Sequence, residues 1–194
     1  MTGQHGGGNH SGQHPAAVGK RSYDRTSYIL VVDDDDTLLK FFKIHLNKFF
    51  SRVIVVRNAK EAIATLKEKE IDLVLSDIRM PRMDGIQFMK KVRAFDPTIP
   101  VYLVSGALLS EEQVETVGEQ ADGFLRKPFT IDELHSFIDN GMKRREILKA
   151  LSELVQDKKK VVDLLHGKIT TKQLKDDETK AKAEELLNSL KAAS

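Results

Sequence analysis

The chain has 194 residues, 40% of them hydrophobic and 31% charged, which is enough apolar material for one ordinary domain with additional segments. The net charge of +2 gives no support to a nucleic-acid-binding protein, and the absence of cysteine excludes disulfides, thiolate metal sites and cysteine nucleophiles. Because the chain shows no signal-like N-terminus and no apolar run of about 18 residues, we expect a cytoplasmic protein without membrane insertion.

The first 26 residues are rich in Gly, His, Gln and Ser and contain few side chains that a core would bury. This composition predicts a disordered arm. The histidines of the arm are irregularly spaced and no cysteine or carboxylate assists them, so we interpret them as part of a flexible segment rather than as a metal-binding tract; they are His5, His10 and His14.

From Tyr28 onward, the pattern of the chain alternates between strand and helix. Short apolar, β-branched runs predict strands at 28–32, 52–58, 71–77, 99–106 and 122–128. Helical periodicity follows each of them, with capping boxes predicted at Ser110–Gln113 and Thr130–Glu133. Five strands alternating with five helices predict an α/β fold with a doubly wound five-stranded parallel sheet.

Chemically active side chains follow four of the five predicted strands. Asp33 and Asp34 come after the first strand, and Asp77 ends the third. Ser105 ends the fourth strand and Lys127 ends the fifth. Because sites in doubly wound sheets form beyond the carboxyl ends of the strands, we expect these side chains to converge at one edge.

This set of groups suits the capture of a phosphoryl group. Close carboxylates need a counter-charge, which a hard cation such as Mg²⁺ or Mn²⁺ supplies, and Asp77 can then act as an oxygen nucleophile. Lys127 and the Ser105 hydroxyl would neutralise and bind the phosphoryl oxygens. Taken singly, each residue has an ordinary interpretation as a cap or turn former; their joint placement favours a site. The sequence shows no P-loop, HExxH, nucleophile-elbow or GxGxxG motif, so it gives no support to a nucleotide hydrolase or a dinucleotide-dependent enzyme.

Four stretches, "ILVVDDDD", "DLVLSDIRMPRMDG", "VYLVSGA" and "GFLRKPF", resemble the receiver domain of bacterial two-component response regulators. The resemblance covers about residues 28 to 140 and implies a flavodoxin-like fold with Asp77 as phosphoacceptor. It also implies that Asp34, Asp77 and the backbone carbonyl of Arg79 hold Mg²⁺ directly, with Asp33 helping through water.

The resemblance further implies a switch mechanism, in which Ser105 is the switch hydroxyl and Lys127 is the lysine of the family. Phe124 stands where the family has an aromatic residue; phenylalanine cannot hydrogen-bond at its tip, so it is either an in/out packing switch or a core residue that does not move. Arg79 and Ala107 would tune the attack of water on the phosphoryl group, by shielding or by orienting that water.

The aspartate run therefore divides into two pairs. Asp33 and Asp34 are predicted to belong to the site, whereas Asp35 and Asp36 are predicted to cap the first helix and to favour its dipole.

The sequence predicts three parts: a disordered arm at 1–26, a receiver domain at 27–141 and a helical extension at 142–194. Apolar residues of the extension recur at heptad-like steps: Leu148, Leu151, Val155, Val162, Leu165 and Ile169. A last helix is predicted to have Asp177 as its cap. The extension either folds back as a helical hairpin or pairs through this seam with a second copy or a downstream protein, and we favour the second interpretation. A DNA-binding output domain is not predicted.

We therefore expect a signalling switch rather than a turnover enzyme. It would accept a phosphoryl group from a histidine kinase or phosphotransfer protein and signal through protein–protein interaction or dimerisation. Two alternatives remain at this point: a phosphorelay intermediate that passes the group to another histidine, and a constitutive scaffold with a receiver fold.

Overall fold

The computed structural model describes residues 27–50, 52–165 and 167–192, so the predicted disordered arm lies outside the described residues. Strands and helices alternate as far as the fifth helix, and further helices follow. The elements are β1 (Tyr28–Val32), α1 (Asp36–Leu46), β2 (Arg52–Val56), α2 (Ala59–Glu68), β3 (Leu73–Asp77), α3 (Gly85–Phe95), β4 (Val101–Ser105), α4 (Glu111–Gln120), β5 (Gly123–Arg126), α5 (Ile131–Val155), α6 (Lys158–Leu165), a 3-10 turn (Thr171–Gln173) and α7 (Asp177–Ala192).

The five strands form one parallel sheet in the order β2-β1-β3-β4-β5, which confirms the predicted α/β doubly wound architecture. The strand order reverses between β1 and β3, and doubly wound sheets bind their ligands in the crevice beyond that reversal. Asp33, directly after β1, and Asp77, the last residue of β3, therefore flank the crevice where a site is expected.

Apolar layers cover both faces of the sheet. One layer contains the inner faces of α2, α3 and α4, and the other contains those of α1 and α5. Phe42 of α1 and Phe88 of α3 are almost completely buried, one in each layer. Both faces of the sheet are therefore shielded from water, which explains the nearly continuous apolar runs in the sequence.

Helix caps fix where several strands and helices meet. The predicted capping boxes at Ser110–Gln113 and Thr130–Glu133 are both present. The strand β2 is two residues shorter than predicted, because the side chain of Asn58 accepts the Glu61 N–H and begins α2.

The helix α5 runs without interruption through Gly141. A Cβ atom at this position would lie 2.2 Å from Leu73 Cδ1 and 2.7 Å from Tyr102 Cε2, so the glycine allows the helix to lie close against the sheet. The helix then continues beyond the sheet to Val155, as the periodicity predicts.

The extension forms a small helical unit with its own apolar core, in which α6 and α7 pack against the second half of α5. Its buried members are Leu148, Leu151, Val161, Leu164, Leu174, Ala183 and Leu190. Part of the predicted seam is therefore not exposed, because Leu148 and Leu151 are covered within the chain. The residue after α5, Gln156, has the left-handed conformation and ends the helix. The burial of Leu148 and Leu151 favours the folded-back hairpin, whereas pairing of the extension with a second copy or a downstream protein stays a prediction.

The capping residue of α7 differs from the predicted one by one position. The carboxylate that accepts the Thr179 N–H at the start of α7 belongs to Asp176, one residue before the predicted cap at Asp177. Among the described residues, no helix is both long enough and apolar enough to cross a membrane.

Candidate functional site

A buried cluster of three charged side chains lies at the carboxyl edge of the sheet. The ammonium of Lys127 donates to Asp33 Oδ2 at 2.8 Å and to Asp77 Oδ1 at 2.6 Å. Both carboxylates are almost completely buried, whereas the lysine is partly accessible. The structure thus brings together three of the residues that the strand-end pattern predicts, although 94 residues separate Asp33 from Lys127.

The cluster has more negative than positive charge. Burial raises the pKa of Asp33, and the neighbouring Asp77 raises it further, against the lowering effect of Lys127 and the Asp35 N–H. Burial acts to lower the pKa of Lys127, but its hydrogen bonds to Asp33 and Asp77 raise it above the usual value. One ammonium is therefore shared between two buried carboxylates, and a further cation would neutralise the remaining negative charge.

Both carboxylate oxygens of Asp77 are held in place. Oδ1 faces Lys127, and Oδ2 accepts the backbone N–H of Arg79 at 2.5 Å. This fixed orientation presents one oxygen beside a cation, which suits a nucleophile whose product carries new negative charge.

Ser105 is buried at the end of β4, and Lys127 is tied to its backbone. The Ser105 carbonyl accepts the Lys127 N–H at 2.9 Å. The Ser105 Oγ accepts the N–H of Ala107 at 3.1 Å, an interaction that leaves the hydroxyl hydrogen available for another acceptor.

Asp34 does not join the cluster. Its side chain is exposed, and it has no hydrogen bond or ion pair with any residue that the structure describes. Among all the residues that the structure describes, no group of three or more acidic or histidine side chains is placed to hold a metal ion. The donor set nevertheless fits a hard divalent cation, because it consists of oxygen ligands and its two buried carboxylates share a single ammonium. Ligation by Asp34 and by the Arg79 carbonyl remains a prediction.

The other two aspartates of the run have different positions. Asp35 is the N-cap of α1, where its side chain accepts the N–H groups of Thr37 and Leu38; these bonds lower its pKa. Asp36 is not a cap: it lies in the first turn of α1 and forms an exposed ion pair with Arg57.

The side chains of Phe124, a predicted switch residue, and of Arg79, predicted to act on water, make no hydrogen bond or ion pair with the charged cluster. Phe124 is half-buried in β5 and packs against the apolar layer that contains α2, α3 and α4. The Arg79 guanidinium donates to the Leu108 carbonyl at 3.0 Å. Whether Phe124 moves and whether Arg79 acts on water remain predictions.

Sequence reasoning missed the residues that begin α3, beside Asp77. Asp84 is the N-cap of α3 and forms a capping box with Gln87, a pattern that is visible as "DGIQ" in the sequence. A Cβ atom on Gly85 would lie 2.1 Å from the backbone oxygen of Asp77. The glycine is therefore required for α3 to approach the end of β3.

Gly85→Ala is expected to lower the free energy of unfolding by about 2 kcal/mol, because the added methyl group forces backbone apart in a packed region. Gly118→Ala is the matched control: Gly118 is exposed in α4 and a Cβ there has nothing within 4 Å. It should stabilise the protein by up to about 1 kcal/mol, since alanine is the better helix former. Urea unfolding of both variants measures the difference, and equal changes would contradict the close approach.

Comparison with known proteins agrees with this architecture. Residues 29–139, more than half of the chain, match the family described as response regulator receiver domain. The transcriptional regulatory protein ZraR of Klebsiella oxytoca is 38% identical over 106 residues, which are 55% of this chain and 24% of that protein. The transcription factor SKN7 of Saccharomyces cerevisiae is 34% identical over 118 residues, 61% of this chain and 19% of that protein. The matches thus span less than a quarter of either relative.

Solved receiver domains have the same fold. A response regulator receiver domain protein from Clostridium thermocellum superimposes with a TM-score of 0.58 at 27% identity, covering 63% of this chain and 98% of that one. The receiver domain of a signal transduction histidine kinase from Syntrophus aciditrophicus gives a TM-score of 0.54 at 30% identity, covering 60% of this chain and 89% of that one.

Proposed function

The chain belongs to the response regulator receiver domain family, and we propose that it is a phosphorylation-dependent switch in which Asp77 accepts a phosphoryl group from a phosphohistidine. The donor would be a histidine kinase or a phosphotransfer protein. The observation that carries the proposal is the ammonium of Lys127, held within hydrogen-bonding distance of both buried carboxylates, Asp33 and Asp77. A scaffold that only binds partners has no use for such a cluster, since burying two carboxylates costs stability.

The chemistry follows from the positions of the three groups. A carboxylate oxygen of Asp77 attacks phosphorus, the P–N bond of the donor breaks, and its electron pair returns to the imidazole. Lys127 neutralises part of the charge on the phosphoryl oxygens, and the available hydrogen of the Ser105 hydroxyl binds one of them. Because Ser105 and Lys127 are linked through their backbones, a shift of either one affects both β4 and β5.

A divalent cation completes the site in this proposal. Asp34, Asp77 and the backbone carbonyl of Arg79 would hold Mg²⁺ or Mn²⁺ directly, with Asp33 helping through water. The ion would neutralise charge on the phosphoryl oxygens during transfer. The switch would then act on a downstream protein, or on a second copy, through faces of the C-terminal helices that their own apolar core leaves exposed.

Intact-protein mass spectrometry tests the proposal. After incubation with acetyl phosphate and Mg²⁺, the chain should gain one phosphoryl group, and a chelator should prevent the gain. Peptide mapping should place the group on the segment that contains Asp77. Light scattering on the same samples reports whether assembly changes. A chain whose mass does not change would instead favour the scaffold.

A further inference from the structure

One side chain connects two loops above the candidate site. Arg79 lies in the loop between β3 and α3, and its Nη2 donates to the backbone carbonyl of Leu108, 29 residues further along, at 3.0 Å. Leu108 lies in the loop between β4 and α4 and is 81% exposed. The Leu108 side chain therefore adds no apolar packing to this loop. The neighbouring Leu109 packs partly against the core, and the Arg79 hydrogen bond ties the loop to the one that follows β3.

The loop that Arg79 holds is also the loop that sets the Ser105 hydroxyl. The Ala107 N–H donates to Ser105 Oγ, and Ala107 is the residue before Leu108. A force on the Leu108 carbonyl is therefore transmitted through one peptide unit to the donor that positions the hydroxyl. Movement of this loop and reorientation of Ser105 are coupled by the covalent chain.

The backbone of Arg79 is fixed close to Asp77, the proposed phosphoacceptor. Its backbone N–H donates to Asp77 Oδ2 at 2.5 Å, so a phosphoryl group on Asp77 would lie within reach of the guanidinium. A guanidinium binds phosphoryl oxygens through charge-assisted, often bidentate hydrogen bonds that are roughly twice as strong as a bond to a neutral carbonyl. The phosphoryl group and the Leu108 carbonyl would therefore compete for one guanidinium.

We propose that Arg79 is a latch on the loop between β4 and α4: it holds the loop through Leu108 while Asp77 is unmodified, and it releases the loop when a phosphoryl group on Asp77 binds the guanidinium. The second half of the inference rests on the proposed function, whereas the first half concerns the unmodified protein alone. An exposed hydrogen bond shifts an equilibrium by roughly fivefold, strong enough to bias a loop and weak enough to be exchanged.

Hydrogen exchange at the Ala107 amide in the full chain tests the latch. Without phosphodonor, Arg79→Met should speed exchange roughly fivefold, because the loop loses its tether. Arg79→Lys, which keeps the charge but not the planar fork, should fall between wild type and Arg79→Met. Arg82→Met removes the same charge from the same loop and should exchange as wild type does.

Phosphorylation of the wild type with acetyl phosphate and Mg²⁺ should speed Ala107 exchange as Arg79→Met does. In the Arg79→Met variant, phosphorylation should not increase the exchange rate of the Ala107 amide any further. Unchanged exchange in unmodified Arg79→Met, or an equal increase in Arg82→Met, would overturn the latch while leaving the proposed function intact. Absence of phosphoryl uptake by the wild type, read from its mass, would overturn the proposed function and the release step together.

Discussion

Asp77→Asn is expected to abolish phosphoryl uptake from acetyl phosphate in the presence of Mg²⁺. The carboxamide oxygen is a far poorer nucleophile than the carboxylate and carries no charge that would bind a divalent cation. The variant should still fold, since asparagine has the same shape and its oxygen can still accept the Arg79 N–H. Intact mass after incubation, with thermal unfolding to confirm the folded state, measures both expectations.

Asp33 is the carboxylate whose surroundings most resemble those of Asp77, so it is the main alternative acceptor of the phosphoryl group. It contacts the same ammonium of Lys127 and is as deeply buried as Asp77. Stoichiometric uptake by Asp77→Asn, mapped to Asp33, would show that the acceptor was assigned to the wrong carboxylate. Asp36→Asn is the matched control, because Asp36 belongs to the same run but lies exposed in α1, paired with Arg57; it should take up one phosphoryl group as the wild type does.

The sheet and the centre of the site were predictable because few geometric rules govern them. Apolar runs of strand length separated by amphipathic helices allow hardly any arrangement other than a parallel sheet. In such a sheet, every carboxyl end lies at the same edge, so Asp33 and Lys127 meet although the chain between them is long. The strand-end rule needs no knowledge of side-chain conformations.

What could not be predicted depends on side-chain directions and on packing between distant segments. The Arg79 guanidinium reaches the Leu108 carbonyl rather than Asp77, and no sequence pattern encodes that choice of rotamer. Likewise, the apolar residues Leu148 and Leu151 indicate that one face of α5 is buried but not which surface buries it. The helix α7, which covers this face, follows a 3-10 turn, and the heptad spacing does not predict the path of the chain through that turn.

A buried arginine anchors the extension to the receiver fold, at the sheet edge opposite the candidate site. Arg145, in the second half of α5, is 7% exposed. Its Nη1 donates to Thr98 Oγ1 at 2.5 Å, and its Nη2 donates to the Ile71 carbonyl at 3.3 Å. Its guanidinium also lies 3.5 Å from Asp72 and 4.0 Å from Asp96. One side chain thus ties α5 to the residues that precede β3 and β4.

Arg145→Met is expected to lower the free energy of unfolding by about 3 kcal/mol, because the acidic groups around it would stay buried without this cation. Lys149→Met is the matched control: Lys149 pairs with the same Asp72, but its side chain is 46% exposed, and such a pair contributes at most about 1 kcal/mol. Urea unfolding of the full chain measures both variants. If the two substitutions lowered the free energy of unfolding equally, the ion pairs of Arg145 would contribute no more than an exposed pair. Arg145 would then not anchor the extension.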